Sequence, residues 1–263
     1  MIVSHAHQFI FIHCRKTGGS SCTAYLNRFL GPQDIQTAAW SESLRGGGKF
    51  NRRFFKDVLS REGIQLLAND GWGRIKQFRF PKPKKLMLKA HRDLYKSKLG
   101  DSPAHPQATS IRTLFPFEWE NYFKICFVRN PYEQVVSDYI WRSRNKNSNI
   151  SFSDFIKLLE DRSELDSSGM VPHAGLNWGM YTINNKIAVD FIGRTERLIQ
   201  DMEDLCGQLK IPFSPEQFSH SKKGRANKDD YRRYYADADV ERVSKLFEQE
   251  IAAFDYSFPR SPC

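Results

Sequence analysis

Short continuous apolar runs alternate along this chain with stretches whose apolar positions recur at helical spacing. Gln8-Phe-Ile-Phe-Ile-His13 is the first run, the pattern of a strand buried on both faces. It leads into Arg15-Lys-Thr-Gly-Gly-Ser-Ser21, after which helical spacing takes over from Cys22 to Leu30 and stops before Gly31-Pro32. A second strand is predicted over Leu86–His91 and a third over Tyr122–Arg129. The next helix has clear start signals: Asn130 as N-cap, Pro131 at the first position and Glu133 at the third. A fourth strand, Ala188–Gly193, precedes a helix over Thr195–Cys206 in which Leu198, Met202 and Leu205 share a face. A final amphipathic helix is predicted from about Asp239 to Phe254. Strands alternating with helices predict an α/β fold with a mainly parallel central sheet flanked by helices.

The chain has 263 residues, which fits a single domain over 1–263 carrying an insertion. With 40% apolar, 27% charged and 13% aromatic residues it has the composition of a folded globular protein rather than a disordered one. No apolar run approaches the roughly 18 residues that a membrane span requires. The five cysteines are scattered and never spaced C-x-x-C, so neither a disulfide framework nor a zinc site is expected. These features predict a cytoplasmic protein without a bound metal.

The formal net charge of +10 is concentrated. From Glu42 to Lys85 there are twelve Lys and Arg against four Asp and Glu, with a flexible Gly46-Gly47-Gly48 and one helix expected from about Phe50 to Arg61. This basic insertion fits a nucleic acid, an anionic membrane, an acidic substrate, or simply a solvated surface. No nucleic-acid-binding motif accompanies it, so no specific nucleic acid is expected.

Lys16 to Ser21 has the character of an anion loop, because successive backbone N–H groups at a helix N-terminus form a concave site for phosphate. The fold expectation thus becomes a P-loop-like three-layer arrangement. The order of residues is nonetheless wrong for a nucleoside-triphosphatase: Walker A requires G-x-x-x-x-G-K-[ST], and here Lys16 precedes Gly18 and Gly19. A lysine entering the loop from the strand side reaches a bridging oxygen and neutralises a leaving group. A second anchor lies in Phe127-Val-Arg-Asn-Pro-Tyr-Glu-Gln-Val-Val-Ser-Asp-Tyr139. Arg129 ends a predicted strand, where open α/β sheets bind ligands, and Ser137 follows two helical turns on. Guanidinium forks phosphate bidentately and the hydroxyl adds a neutral donor.

At these residues the sequence resembles the sulfotransferases that use 3′-phosphoadenosine 5′-phosphosulfate (PAPS), particularly the group containing carbohydrate sulfotransferases and their soluble bacterial relatives. His13–Ser21 is similar to their 5′-phosphosulfate loop and Phe127–Tyr139 to their 3′-phosphate motif. Val189–Leu198 and Phe254-Asp-Tyr256 also resemble that group. The resemblance implies transfer of a sulfuryl group from PAPS to an acceptor hydroxyl on a carbohydrate, lipid or small metabolite, with the bisphosphate PAP as product. Lys16 would stabilise the departing 5′-phosphate, cradled by Thr17, Gly18, Gly19, Ser20 and Ser21. Arg129 and Ser137 would hold the 3′-phosphate. No metal is implied.

For the general base, the expectation is His91, at the end of the predicted strand in L-K-A-H, since imidazole titrates near neutrality. His13 is expected to pack. His105 and His173 lie in predicted loops that could touch acceptor, but neither is chosen as the base, and Asp93 and Glu118 are carboxylate alternatives. A late basic loop, Ser219–Asn227, resembles loosely one that closes over the nucleotide, which would bring Lys222, Lys223 and Arg225 to the 3′-phosphate. Unlike Golgi members of the group, this chain starts its first predicted strand within ten residues of Met1. The basic insertion favours an anionic acceptor. Two readings compete: a P-loop kinase, which predicts magnesium dependence and a strand ending in Asp, and a non-catalytic polyanion-binding module with steeply salt-dependent binding.

Overall fold

A computed structural model describes residues 1–75, 82–146, 149–161, 176–219 and 230–259. Its main sheet is built from five strands: β1 (Ile2–Ser4), β2 (Phe9–Ile12), β3 (Ile35–Gln36), β4 (Phe123–Val128) and, beyond a small hairpin of β5 (Thr182–Ile183) and β6 (Lys186–Ile187), β7 (Phe191–Arg194). The order is β3-β1-β2-β4-β7. Strands β2, β4 and β7 run parallel, with Ile12 opposite Cys126 and Val128 opposite Arg194. Strand β1 is antiparallel to both its neighbours.

Alternating side chains explain why these strands read as unbroken apolar runs. Ile10, Ile12, Cys126 and Val128 enter one core, and Phe9, Phe11, Ile125 and Phe127 enter the other, so both faces of the sheet are covered. The second core is closed by α1 (Gly19–Leu26), through Cys22, Tyr25 and Leu26. After α2 (Trp40–Arg45) come α3 (Arg52–Val58), α4 (Arg61–Ile75) and α5 (Pro83–Leu99), the last adding Leu94, Tyr95 and Leu99 to the first core. Helices α6 (Ala108–Leu114) and α7 (Pro116–Asn121) lead into β4, and α8 (Pro131–Lys146) leaves it. Helix α9 (Phe152–Glu160), the short α10 (Trp178–Tyr181), α11 (Leu198–Gln208), α12 (Pro215–Ser219), α13 (Asp237–Leu246) and α14 (Glu248–Phe254) complete the described elements. Helices α8, α9 and α13 share a third core around Val136, Phe155 and Val243.

Strands β2 and β4 and the helices after them lie where the apolar pattern places them, while β7 starts three residues later than expected, at Phe191, and runs to Arg194. Asn130 caps α8 as expected, its Oδ1 accepting from Tyr132 N at 3.1 Å, with Pro131 as the first helical residue. Three expectations are corrected. Leu86–His91 is not a strand but the middle of α5, which begins at Pro83 and stops at Gly100. Its buried positions Ala90, His91, Leu94, Tyr95 and Leu99 follow helical spacing. The final helix is two, because Phe247 interrupts it with a φ of −114°. The helix expected at Phe50–Arg61 spans Arg52–Val58, capped by the Asn51 side chain accepting from Phe54 N. Among the described residues no helix is long and apolar enough to cross a membrane.

Candidate active site

The C-terminal ends of β2, β4 and β7 converge on one loop. Between β2 and α1 the chain takes left-handed backbone at Lys16 (φ 62°) and at Gly18 (φ 82°), which is the N-cap of α1. A non-glycine residue in that region is uncommon and marks a constrained loop. Among the described residues no backbone group accepts from the amides of Gly18, Gly19 or Ser20. Three successive open N–H groups at a helix N-terminus form a concave donor set of the kind that suits an anion. Gly19 is needed for another reason: a Cβ there would lie 2.2 Å from His13 Cδ2. The His13 ring is buried beneath the loop, as the expectation of packing had it.

The loop is tied from several sides. Thr17 Oγ1 donates back to Cys14 O at 3.2 Å. Thr195 Oγ1, just after β7, lies 2.9 Å from Thr17 O and 3.0 Å from Val128 O, within donating distance of both the loop after β2 and the end of β4. Asn177 brackets Arg15, accepting from its N–H and donating to its carbonyl, both at 2.9 Å. The Arg15 guanidinium pairs with buried Asp138 on α8, and Arg142 approaches the same carboxylate at 3.2 Å. Neither Asn177 nor Thr195 was singled out in the sequence. Their only signal was position: Thr195 follows an apolar run as Arg129 does, while Asn177 is polar in an otherwise unremarkable stretch.

Arg129 closes β4 and joins the site. Its Nη1 donates to Lys16 O at 3.3 Å and its Nη2 to Glu133 at 2.9 Å, while its Nε is buried with no partner among the described residues. A buried guanidinium N–H without a partner is a donor that an anionic oxygen can satisfy. Ser137 is half-buried two turns along α8. The Lys16 amine stands 5.5 Å from the centroid of the Trp141 ring, one turn beyond Ser137 on the same helix face. Lys16, Thr17, Gly18, Gly19, Ser20, Ser21, Arg129 and Ser137 therefore belong to one neighbourhood. Beside it, at the end of β7, Arg194, Glu196, Arg197 and Tyr256 line a cavity of about 410 Å³. The Arg194 guanidinium covers the Tyr256 ring at 5.3 Å, and Glu196 accepts from Asn130 N at 2.6 Å.

A model of the sulfotransferase family matches residues 1–257. The chain belongs to the sulfotransferase family. Membership makes it a transferase that moves sulfuryl groups. Over 98 residues this sulfotransferase is 36% identical to an uncharacterized protein of Archaeoglobus fulgidus, the match covering 36% of this chain and 72% of the other. It also aligns with the crystal structure of a sulfotransferase from Alicyclobacillus acidocaldarius at 18% identity and a TM-score of 0.41, over 94% of this chain and 98% of that one.

The expected base does not reach this sulfotransferase's loop. His91 is 2% exposed, packed against Trp40, Phe54 and Tyr95, with Nε2 3.7 Å from Asp57. Burial outweighs the nearby carboxylate and lowers its pKa to about 4. A ring enclosed in this way cannot meet an acceptor hydroxyl. Asp93 pairs with Lys89 and Arg92 on α5, and Glu118 lies 3.9 Å from His5, so neither faces the loop's donors. His105 lies against His13, whose ring underlies the loop. Its Nδ1 is 2.7 Å from His13 O and its ring meets His13 edge-on at 4.8 Å. A carbonyl only accepts, so Nδ1 carries the proton and Nε2 is left as an acceptor. Desolvation, helped by nearby Arg15, lowers the His105 pKa to about 4. Lys222, Lys223 and Arg225, and His173, lie outside the described residues.

Proposed function

We propose that this enzyme transfers the sulfuryl group of PAPS to an acceptor hydroxyl, with PAP as product. The observation that carries the reading is the pairing of three open loop amides with the partnerless Arg129 Nε, held together by the Arg129–Lys16 hydrogen bond. Loop amides and a guanidinium as two neighbouring donor sets suit a nucleotide carrying both a 5′-phosphosulfate and a 3′-phosphate. When bound, PAPS supplies an activated sulfur whose bond to the 5′-phosphate oxygen breaks as the acceptor oxygen bonds to it.

In this reading Thr17, the amides of Gly18 to Ser20 and the Ser21 hydroxyl cradle the 5′-phosphate, and Lys16 neutralises the charge left there. Arg129 and Ser137 hold the 3′-phosphate, with Glu133 fixing the guanidinium plane. The cavity beside Arg194 and Tyr256 supplies an aromatic and cationic wall for the nucleoside. His105 replaces His91 as the proton acceptor: its Nε2 takes the hydroxyl proton while His13 O holds the tautomer. Lys222, Lys223 and Arg225 would add charge around the 3′-phosphate.

A thermal-shift comparison tests this. PAP at a hundred times its dissociation constant is expected to add about 2.7 kcal/mol of stability without magnesium. Stabilisation by magnesium-ATP but not by PAP would favour the kinase reading.

A further inference from the structure

The basic stretch within residues 42–85 takes no part in the proposed transfer, yet its surface combines two properties. Helix α3 buries Phe54 and Val58 against Trp40 and leaves Phe55 open at 42% exposure. One turn on, Leu59 is 63% exposed, its N–H donating to Phe55 O at 2.9 Å. Ile64, in the first turn of α4, is 52% exposed. The half-buried Phe50 ring meets Phe55 edge-on at 6.0 Å and extends this apolar ridge. Three of the seven exposed large apolar side chains among the described residues thus fall within ten positions.

Cations flank the ridge. Arg52, Lys56 and Arg61 are exposed, and none of them pairs with a carboxylate of a described residue. Their neighbour Arg53 differs, since it is turned inward onto Asp57 at 2.7 Å. Arg52 and Lys56 are four apart, as are Phe55 and Leu59, so charged and apolar stripes run side by side along the same turns. Isolated exposed leucines need no explanation, but three large apolar side chains exposed within ten positions do.

A soluble polyanion would use the cations and leave the ridge in water. An anionic bilayer uses both, taking the apolar side chains into the boundary between headgroups and acyl chains while Lys and Arg stay with the phosphates. We propose that Phe55, Leu59 and Ile64, with Arg52, Lys56 and Arg61, form a peripheral docking surface for an anionic lipid bilayer. This does not depend on the identity of the sulfuryl donor.

The test is co-sedimentation of the full chain with vesicles of phosphatidylcholine alone or containing about one-third phosphatidylglycerol, beside retention on immobilised heparin. Binding to the anionic vesicles only is expected. Phe55→Ser/Leu59→Ser should weaken vesicle binding at least about fivefold with heparin retention unchanged, and Arg52→Glu/Lys56→Glu should lower both. Thermal melts of each variant establish that it folds. Absence of wild-type binding to anionic vesicles would overturn the proposal. So would a folded Phe55→Ser/Leu59→Ser protein that binds them like wild type, since the surface would then be a charge-only site for polyanions.

Discussion

Arg129 Nη1 donates to the main-chain carbonyl of Lys16 at 3.3 Å, so the residue that ends β4 also grips the loop that follows β2. The two anion sites of the proposed nucleotide pocket are therefore one mechanical unit. Loss of Arg129 removes a charge-assisted donor and loosens the loop together. Arg129→Ala is expected to weaken PAP binding by about 2 kcal/mol, roughly thirtyfold, read by titration calorimetry. Lys16→Ala should slow turnover more than it weakens binding of PAPS, because its charge matters most as the leaving group departs.

The contact between Gly19 and His13 makes a second prediction. A methyl group at Gly19 would collide with the imidazole ring at 2.2 Å, and that ring is buried and cannot swing away freely. Gly19→Ala should cost about 1–3 kcal/mol of stability and abolish PAP binding by displacing the loop. Adding His13→Ala opens space for the methyl, and the double variant should regain part of the binding. Melting curves and PAP titration of the three proteins check this.

Catalysis should separate the two histidines. His105→Ala is expected to lower turnover by about 10²–10⁴-fold with PAP binding retained, while His91→Phe keeps turnover. The pH profile carries the sign. With a pKa lowered to about 4, His105 is already neutral at pH 6, so the acid limb should fall near pH 4 rather than near the ordinary 6.5. A limb at 6.5 would mean that another group accepts the proton.

His91 has a consequence for stability instead. Its folded pKa of about 4 lies below the unfolded value near 6.5, so between them the unfolded chain binds the proton and the folded one does not. Stability should be complete above pH 6.5 and decline as pH falls toward 4, by on the order of 3 kcal/mol from this one group. In His91→Phe the slope of stability against pH over that range should be shallower, measured by urea unfolding.

The parts of this fold legible in the sequence are those whose environment is uniform. Strands β2, β4 and β7 are buried on both faces, and that leaves an unbroken apolar run whatever surrounds them. The glycine-rich loop and Arg129 were legible because a turn and a strand end restrict residue choice. Strands β1 and β3 were not, being three and two residues long and too short for any period to register. Leu86–His91 misled because a six-residue apolar stretch suits either element. The deciding evidence lay outside it, in Pro83 at the helix start and in Leu94, Tyr95 and Leu99 continuing the spacing. Since His91 was chosen through that strand, its role went with it. His105 is placed by a hydrogen bond across 92 residues, which no local pattern encodes.

The most direct test of the central claim is selectivity for the 3′-phosphate: calorimetric affinities of PAP and of adenosine 5′-phosphate for the wild-type enzyme and for Arg129→Ala. PAP should bind wild type at least about a hundredfold more tightly, and Arg129→Ala should weaken PAP much more than adenosine 5′-phosphate, so that much of this gap closes. Equal affinity of the wild type for the two nucleotides would contradict it.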